Sequence, residues 1–283
     1  MLPDGCPVFA TANDKAAEGL GAGIRDDGSC LVSLGTYIGG MVRGKEYTDT
    51  SVDYWSNLSA IPHEYLYETS VGIRRGMWSV SWFKELLGEP MEEKAASLGV
   101  SVEELLEEEA KQVAPGSEGL ITVGEFLAPN NMPYRKAMFI GFDGRHKRAH
   151  MYRSILEAIA MTMKINVDAM CNELQMKPSQ VIVSGGGSNS PLFMQIFADV
   201  FGIRSVRNVI NNAAGLGAAI NAAVGVGEYP DYETAIDNMV RIRDGFEPNL
   251  EHTKVYDDII NNIYRNIRDY SDPINQKIYD MFG

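Results

Sequence analysis

The pattern of apolar and polar positions predicts that strands and helices follow one another along most of this chain. An alanine-rich stretch of helical character, DKAAEGLGAG (14–23), precedes two strand-like runs bounded by glycines, SCLVSLG (29–35) and YIGGMVRG (37–44). Residues 7–12 in front of them also have the pattern of a strand. The chain therefore starts with a predicted β-α-β-β arrangement, in which Asp14 stands at the end of the first strand.

Helical spacing dominates the middle of the chain. Residues 74–88, RRGMWSVSWFKELLG, predict an amphipathic helix that ends at Gly88. The acidic run SVEELLEEEAKQV (101–113) predicts a solvated helix, since Ser101 and Glu104 have the spacing of a capping box. After short strand-like runs at ITVGEFL and in PNNMPYRKAMFIGF, residues 149–173 form the longest periodic segment and predict a long helix.

The last third continues the alternation. A buried strand, VIVSGGG (181–187), leads into a predicted helix with Pro191 in its first turn, and IRSVRN (203–208) predicts a further short strand. An Ala/Gly-rich helix (211–227), a helix at 230–240 and a polar terminal helix at 253–272 complete the prediction. This order indicates an α/β protein with a central sheet flanked by helices.

Composition excludes several classes of function. The chain has 283 residues, 45% of them hydrophobic, and a formal net charge of -13. Such an acidic protein repels phosphate backbones, so we predict no nucleic-acid partner. Three cysteines without a CxxC pair argue against a disulfide scaffold or a zinc site. With no apolar run long enough to span a membrane and no signal-like start, we expect a cytoplasmic protein with reduced thiols.

Basic residues gather around two histidines at the start of the long helix. The cluster has two readings, a local basic pocket or a solvated helix start. Its members are Arg145, Lys147, Arg148 and Arg153, around His146 and His150.

Asp14 is the first candidate for catalytic chemistry. A carboxylate at the carboxyl edge of an α/β sheet lies where ligand crevices open, and it can accept the proton of a hydroxyl that attacks a phosphoryl group. The alternative is structural, since Asp is a good N-cap and an alanine-rich helix follows.

Two glycine-containing turns are candidates for a nucleotide site. Gly35 and Thr36 separate two predicted strands, where backbone N–H groups and a hydroxyl could face a phosphate, although a plain hairpin turn explains them equally. In VIVSGGGSNSPLF, three glycines join a strand to a helix start, where the missing Cβ atoms allow a nucleotide to approach. No Gly-Lys-Ser/Thr follows, so this is not a Walker A loop.

In this order the three segments resemble the FGGY family of carbohydrate kinases, which includes glycerol kinase, xylulokinase, ribulokinase and gluconokinase. The resemblance covers essentially the whole chain, from PVFATANDKAAEGLGAG through FIGFDGRHKRAHMYRSILEAIA to AAGLGAAINAAVGVGEY. It implies an actin-like ATPase fold (ribonuclease H-like), with residues 1–283 forming the C-terminal, nucleotide-binding domain. It also implies that the family's N-terminal sugar-binding domain is absent from this chain, and the abrupt start at a strand agrees with that expectation.

The resemblance also implies a role for individual residues. Asp14 matches the base that deprotonates the acceptor hydroxyl of a sugar or polyol, and Lys15 stands beside it in the substrate site. Gly35 and Thr36 match the turn that contacts the ATP phosphates, and Gly76 lies near a position that contacts the nucleotide. Gly186 and Ser190 match positions that line the adenosine pocket, and Gly185 and Gly187 shape the turn there. The implied reaction transfers the γ-phosphate of ATP, with Mg²⁺ on the phosphates. An isolated domain of this kind is expected to be nearly inactive, because the family's active-site cleft lies between two domains.

Departures from the family pattern leave the substrate open. Lys15 replaces the Gln, Asn or Ala that usually follows the base. It has two readings: a residue that favours an acidic or phosphorylated substrate, or simply a surface lysine. Ser190 stands where some members have Asn, and Asn212 replaces a common glutamate.

Three alternatives remain open from the sequence. The first is a non-catalytic nucleotide-binding module of actin-like fold. The second is another phosphotransferase of the same superfamily, such as an acetate- or hexokinase-like enzyme, whose base would not be Asp14. The third is an oligomeric scaffold, for instance a homodimer through the aromatic residues between 54 and 83.

Overall fold

A central mixed sheet of seven strands organises the protein. A computed structural model describes residues 3–25 and 28–283. The strands are β1 (Ser29–Leu34), β2 (Ile38–Gly44), β3 (Tyr54–Leu58), β4 (Tyr65–Thr69), β5 (Ile121–Val123), β6 (Met138–Ile140), β7 (Gln180–Ser184), β8 (Arg204–Asn208) and β9 (Ile242–Phe246). The main sheet has the order β3-β4-β2-β1-β7-β8-β9, while β5 and β6 form a separate two-stranded ribbon.

Helices cover both faces of the main sheet. They are α1 (Asp14–Ala22), α2 (Trp78–Leu87), α3 (Glu89–Leu98), α4 (Val102–Ala110), α5 (Arg148–Glu173), α6 (Pro191–Phe201), α7 (Ala213–Gly225), α8 (Tyr232–Met239), α9 (Leu250–Asn262) and α10 (Ile267–Phe282). One face packs against α1, α7 and α8, and the other packs against α2, α5 and α6. The fold is therefore the α/β arrangement that the sequence predicts.

The centre of the sheet is parallel and fully covered. β1 pairs in parallel with β7, and β7 pairs in parallel with β8, whereas β2, β4, β3 and β9 are antiparallel to their neighbours. Every residue of β1 is buried, as expected for a strand with helices on both faces. This parallel pair brings the carboxyl ends of β1 and β7 together at one edge.

Small residues let α1 and α7 pack with their backbones almost in contact. A Cβ atom added at Gly21 would lie 1.8 Å from the carbonyl oxygen of Ala213, and one added at Gly217 would lie 1.9 Å from that of Ala17. Only glycine fits at either position. The Ala/Gly-rich helix is therefore a packing element.

The strand expected at residues 7–12 is not formed. These residues have no regular secondary structure and are largely exposed, and Thr11 Oγ1 accepts a hydrogen bond from Asn221 Nδ2 of α7 at 2.8 Å. β1, the next strand along the chain, already has β2 and β7 on its two sides, so this segment cannot pair with it. Phe9 lies against Gly225 of α7, whereas Val8 is 83% exposed.

Other predicted elements differ in extent. The sequence analysis did not identify α3, which follows α2 after one glycine and has Pro90 in its first turn, or the edge strand β9. The single terminal helix predicted at 253–272 is two helices, α9 and α10, because the chain leaves helical geometry at Ile263 (φ -125°). Polarity alone did not reveal this break.

The arginines of the basic cluster at the start of α5 are paired with carboxylates. Arg145 pairs with Asp143 at 2.8 Å and Arg148 with Glu109 at 2.5 Å, while Arg153 is buried beside Glu157. Each of these three guanidinium groups thus has a carboxylate beside it. Lys147 and Arg148 line an open concavity together with Glu109 and Gln112, so the concave site at this cluster is of mixed charge.

Two of the three cysteines are buried and all three are free thiols, so the described residues form no disulfide. Burial raises the pKa of the Cys171 thiol to about 11. In the described part of the chain, no helix has both the length and the apolar character needed to cross a membrane.

Candidate functional site

The candidate residues gather where β1 and β7 end. Ser33 and Ser184 are paired across these two parallel strands, and each is followed closely by a glycine turn. The first turn, around Gly35, leads into β2, and the second, from Gly185, leads towards α6. Carboxyl ends of parallel strands are the usual place for ligands in α/β sheets.

The first turn is held by the segment before α2. The Gly76 amide donates to the Thr36 carbonyl oxygen at 2.8 Å, and the Met77 amide donates to that of Gly35 at 3.3 Å. A Cβ atom at Gly76 would come within 2.3 Å of the Ile38 side chain, so the close approach requires glycine. The side chain of Thr36 is exposed. The structure therefore brings Gly35, Thr36 and Gly76 together.

The second turn lies directly against the end of β1. Gly185 has φ +85°, and a Cβ atom there would lie 2.4 Å from the carbonyl oxygen of Leu34. A Cβ at Gly187 would lie 2.7 Å from the Leu34 side chain, whereas one at Gly186 would meet nothing within 4 Å. Gly185 and Gly187 thus shape the turn, and Gly186 is the position with open space beside it.

This second turn differs from a simple strand-to-helix junction. A short 3-10 turn, Gly186–Asn189, stands between β7 and α6, and α6 is capped by Ser190, whose Oγ accepts from the Phe193 amide at 3.1 Å. The Ser190 side chain therefore has a structural role in helix capping.

A buried arginine fixes the 3-10 turn from β8. Arg207 Nη1 donates to the carbonyl oxygens of Ser188 and Asn189 at 2.6 and 2.9 Å, and its charge is balanced by Asp244. The Ser188 hydroxyl also bonds to Asn211 at 2.8 Å. The glycine turn is thus a rigid feature of the fold.

Asp14 lies in the first turn of α1, and its carboxylate is exposed. The N-cap is Asn13, whose Oδ1 accepts from the Ala16 amide at 2.8 Å, so the reading of Asp14 as the cap is wrong. Because the cap position is already occupied by Asn13, the Asp14 carboxylate is available for another role.

One carboxylate joins α1 to both strand ends. Glu18 Oε2 lies 2.9 Å from both Lys15 Nζ and Ser33 Oγ, and Glu18 Oε1 accepts from Ser184 Oγ at 2.5 Å. Lys15 Nζ also donates to Ser33 Oγ at 2.9 Å. The Lys15 ammonium is therefore turned inwards and paired, so the reading as a simple surface lysine is wrong.

A second carboxylate, Glu68 on β4, is buried near the start of α1. Burial raises its pKa, the charges of Asp14 and Glu18 raise it further, and the Lys15 ammonium lowers it. Asn57 Nδ2 donates to Glu68 at 3.2 Å. Three charged groups, Lys15, Glu18 and Glu68, thus share the surroundings of Asp14.

The sequence analysis missed Glu18, Ser33, Ser184 and Glu68. A signal for Glu18 was present, because it is four residues after Asp14 and three after Lys15, which places it on the same side of a helix. The pairing of Ser33 with Ser184 depends on strand register, which the sequence does not show. Within residues 3–25 and 28–283, no cluster of three or more His, Cys, Asp or Glu side chains could hold a metal ion.

Comparisons with known proteins show which family the chain belongs to. Residues 30–226 match the model of the C-terminal domain of the FGGY family of carbohydrate kinases. An Escherichia coli K12 protein described as the uncharacterized sugar kinase YgcE is 48% identical over 280 residues, which cover 99% of this chain and 57% of that protein. A xylulose kinase of Lactococcus lactis is 31% identical over 275 residues, covering 93% of this chain and 52% of the relative.

Solved structures show the same fold. The xylulose kinase from Rhodospirillum rubrum superposes with a TM-score of 0.82 at 25% identity, covering 97% of this chain and 54% of that one. Plasmodium falciparum glycerol kinase with ADP gives a TM-score of 0.71 at 19% identity, covering 89% of this chain and 50% of that one. The chain spans about half the length of the curated relatives it matches.

Proposed function

We propose that this chain, which belongs to the FGGY family of carbohydrate kinases, supplies the nucleotide-binding wall of a kinase that transfers the γ-phosphate of ATP to a sugar or polyol hydroxyl. The observation that carries the proposal is the meeting of an exposed carboxylate with two glycine turns at the ends of β1 and β7. Such a kinase needs a base, a phosphate cradle and an adenosine site within reach of one another.

In the proposed mechanism each group has one task. Asp14 accepts the proton of the acceptor hydroxyl as that oxygen attacks the γ-phosphorus in line. The Gly35–Thr36 turn, supported by Gly76, holds phosphate oxygens through backbone amides and the Thr36 hydroxyl. The adenosine lies against Gly185, Gly186, Gly187 and Ser190.

The proposal includes a divalent cation, which would bind together with the nucleotide. Mg²⁺ prefers oxygen ligands and is commonly held by substrate phosphates with few protein groups. This fits a site in which backbone N–H groups and the Thr36 hydroxyl would donate hydrogen bonds to the phosphates and the Asp14 carboxylate would be the anionic oxygen group of the protein. When bound to ATP, it would offset the charge on the phosphates.

The polar network beside Asp14 could hold the base in position. Glu18 connects α1 to Ser33 and Ser184, which immediately precede the two turns. We infer that Glu18 and Lys15 hold the base at a fixed distance from the phosphate cradle, as catalytic geometry requires.

Lys15 also limits the substrate class. Its ammonium is paired with Glu18 at 2.9 Å, so little of its charge is available to an acidic group. We therefore propose an uncharged sugar or polyol as the acceptor, beside the Lys15 side chain. Relatives include xylulose kinases and autoinducer-2 kinases, so xylulose is the first sugar to test.

The test is an assay that couples ADP release to a spectroscopic signal, with a panel of tetritols, pentuloses, hexuloses and sugar acids. For the whole protein of which we propose this chain is one half, Asp14→Asn should lower kcat by at least about 100-fold with little change in KM for ATP. Retention of activity by Asp14→Asn would favour a different phosphotransferase of the same superfamily.

The 283-residue chain alone should bind adenine nucleotide weakly and turn over sugar negligibly, because one wall cannot exclude water from the reacting groups. Robust sugar phosphorylation by the purified chain would contradict this part of the proposal.

A further inference from the structure

A second concave site lies beside the proposed nucleotide turns. It is a cavity of about 580 Å³ between α5, the segment after β4 and the loop that follows β5. This volume is in the range of small-molecule sites. Asp14, Lys15, Gly35, Thr36, Gly76, the second glycine turn and Ser190 are all absent from its lining, so it is separate from the proposed ATP and acceptor positions.

Most of the cavity wall is apolar. Phe126 and Leu127 of the loop after β5 line it, together with Ile155 and Ile159 of α5. Tyr37 and Trp55 add aromatic surface near the sheet. An occupant would therefore bury a flat or branched apolar body here.

The charged residues of the cavity leave one positive charge without a counter-ion. Arg135 forms a forked pair with Asp272 at 2.7 to 3.2 Å, and Arg268 has Glu125 at 2.5 Å. Arg74 differs, since it donates only to the Ala128 carbonyl at 2.6 Å and to Asn130 Oδ1 at 2.9 Å. Among the described residues, no carboxylate lies within salt-bridge distance of Arg74.

Two buried polar atoms lie in residues that line the same cavity. Glu125 Oε2 and Arg268 Nη1 lie 2.5 Å apart, so the two groups are each other's ion-pair partner in the cavity wall. Their charges cancel, and among the described residues of the lining Arg74 remains the cation without a carboxylate partner.

We propose that the cavity binds a small amphipathic monoanion, with its acidic group on Arg74 and its apolar body against Phe126, Ile155 and Ile159. A single negative group would give Arg74 the counter-ion that the lining does not supply.

The position of the cavity suggests what such a ligand would influence. Tyr37 lines the cavity and directly follows Thr36, and the Ser70–Arg74 side of the cavity leads to Gly76, which holds the Thr36 carbonyl. If the proposed function is correct, a ligand in this cavity contacts the back of the phosphate turn.

The probe for the test is anilinonaphthalene sulfonate, a monoanion with an aromatic body whose fluorescence rises in apolar sites. The purified chain should bind it saturably at one site, benzoate should displace it, and ATP should not. Arg74→Gln should weaken binding about tenfold, because a charge-assisted contact is lost. This readout does not depend on kinase activity, so it can fail or succeed independently of the proposed function.

Two further variants separate the cavity from other surfaces. Gly124→Phe places a side chain where a Cβ has nothing within 4 Å, so it should fill the cavity and abolish binding without unfolding the chain, as thermal melting would check. Arg75→Gln is the matched control, since Arg75 lies over the Trp78 ring outside the cavity lining. Unchanged binding in both Arg74→Gln and Gly124→Phe, or displacement by ATP, would overturn the proposal.

Discussion

Gly185 and Gly186 are neighbours in the chain, yet the structure places opposite demands on them. Gly185 combines a positive φ with a backbone carbonyl 2.4 Å from where its Cβ would be, whereas Gly186 has open space. The family resemblance implied that Gly185 and Gly187 shape the turn and that Gly186 lines the pocket, and the steric demands at these positions agree with the turn-shaping part of that prediction. That distinction depends on the neighbouring β1, which lies far away in the sequence.

A pair of alanine substitutions tests this distinction. Gly185→Ala should lower the free energy of unfolding by about 2 kcal/mol or more, because the strained φ and the clash with Leu34 act together. Gly186→Ala should change it by less than about 0.5 kcal/mol. Urea denaturation measures both changes. If both variants were as stable as the wild type, the turn would tolerate a side chain at either position.

The role of Glu18 depends on contacts that only the three-dimensional structure shows. Glu18→Gln keeps the size of the side chain but removes the charge that Lys15, Ser33 and Ser184 share. We expect a loss of about 2 kcal/mol in stability, because hydrogen bonds to a charged group are lost in a half-buried site. Nucleotide affinity should fall as well, since both turns lose a common support.

The matched control is Glu228→Gln, at an exposed glutamate in the turn after α7. It should leave urea stability and nucleotide affinity unchanged. If the Glu18→Gln variant behaved like this control, Glu18 would have no positioning role.

Among the elements, α5 carries the most buried ionic network. Glu157 on α5 accepts hydrogen bonds from Arg153, Tyr256, Ser117 and the Gly116 amide at 2.7 to 3.0 Å. The network joins α5 to α9 and to the turn before β5. The sequence analysis identified Arg153 only as a member of a basic cluster, because its partners come from distant parts of the chain.

Removing one member of this network should lower the free energy of unfolding. Glu157→Gln leaves the buried Arg153 without a counter-ion, so we expect a loss of about 3 kcal/mol in the free energy of unfolding. Urea denaturation is the measurement, with Glu251→Gln, an exposed change on α9, as control. A loss below about 1 kcal/mol would mean that the network is not needed for the packing of α5.

Helices α3, α4 and α5 also meet at an ion-pair cluster that depends on pH. The Arg148 guanidinium, with further help from Lys94, lowers the pKa of Glu109 from 4.5 to about 2. A carboxylate whose pKa is lower in the folded state stabilises the fold above its ordinary pKa, and this contribution is lost as the pH falls towards the folded value.

The difference in melting temperature between the wild type and Glu109→Gln should therefore be constant near neutral pH and should shrink as the pH falls from about 5 towards 2. Glu93→Gln, an exposed change on α3, is the control and should show no such trend. A difference that stays constant down to acid pH would contradict the assignment of this low pKa to Glu109.

For the whole molecule, the order of strands and helices and the family could be read from the sequence, because apolar periodicity and three spaced motifs survive along the chain. The errors fell on features that depend on assembly: the absent strand at residues 7–12, the unpredicted β9 and the divided terminal helix. The candidate residues did meet at one sheet edge, but the groups that join them, Glu18 and the two serines, were found only in the structure.

The central claim is that the two glycine turns form one nucleotide surface. The most direct measurement is a titration of the ¹⁵N-labelled chain with Mg²⁺–ADP, followed by the chemical shifts of backbone amides. The account predicts saturable shifts at Gly35, Thr36, Gly76 and residues 185–187, with small changes at the Arg74 cavity. Shifts confined to other surfaces, or none at millimolar nucleotide, would contradict it.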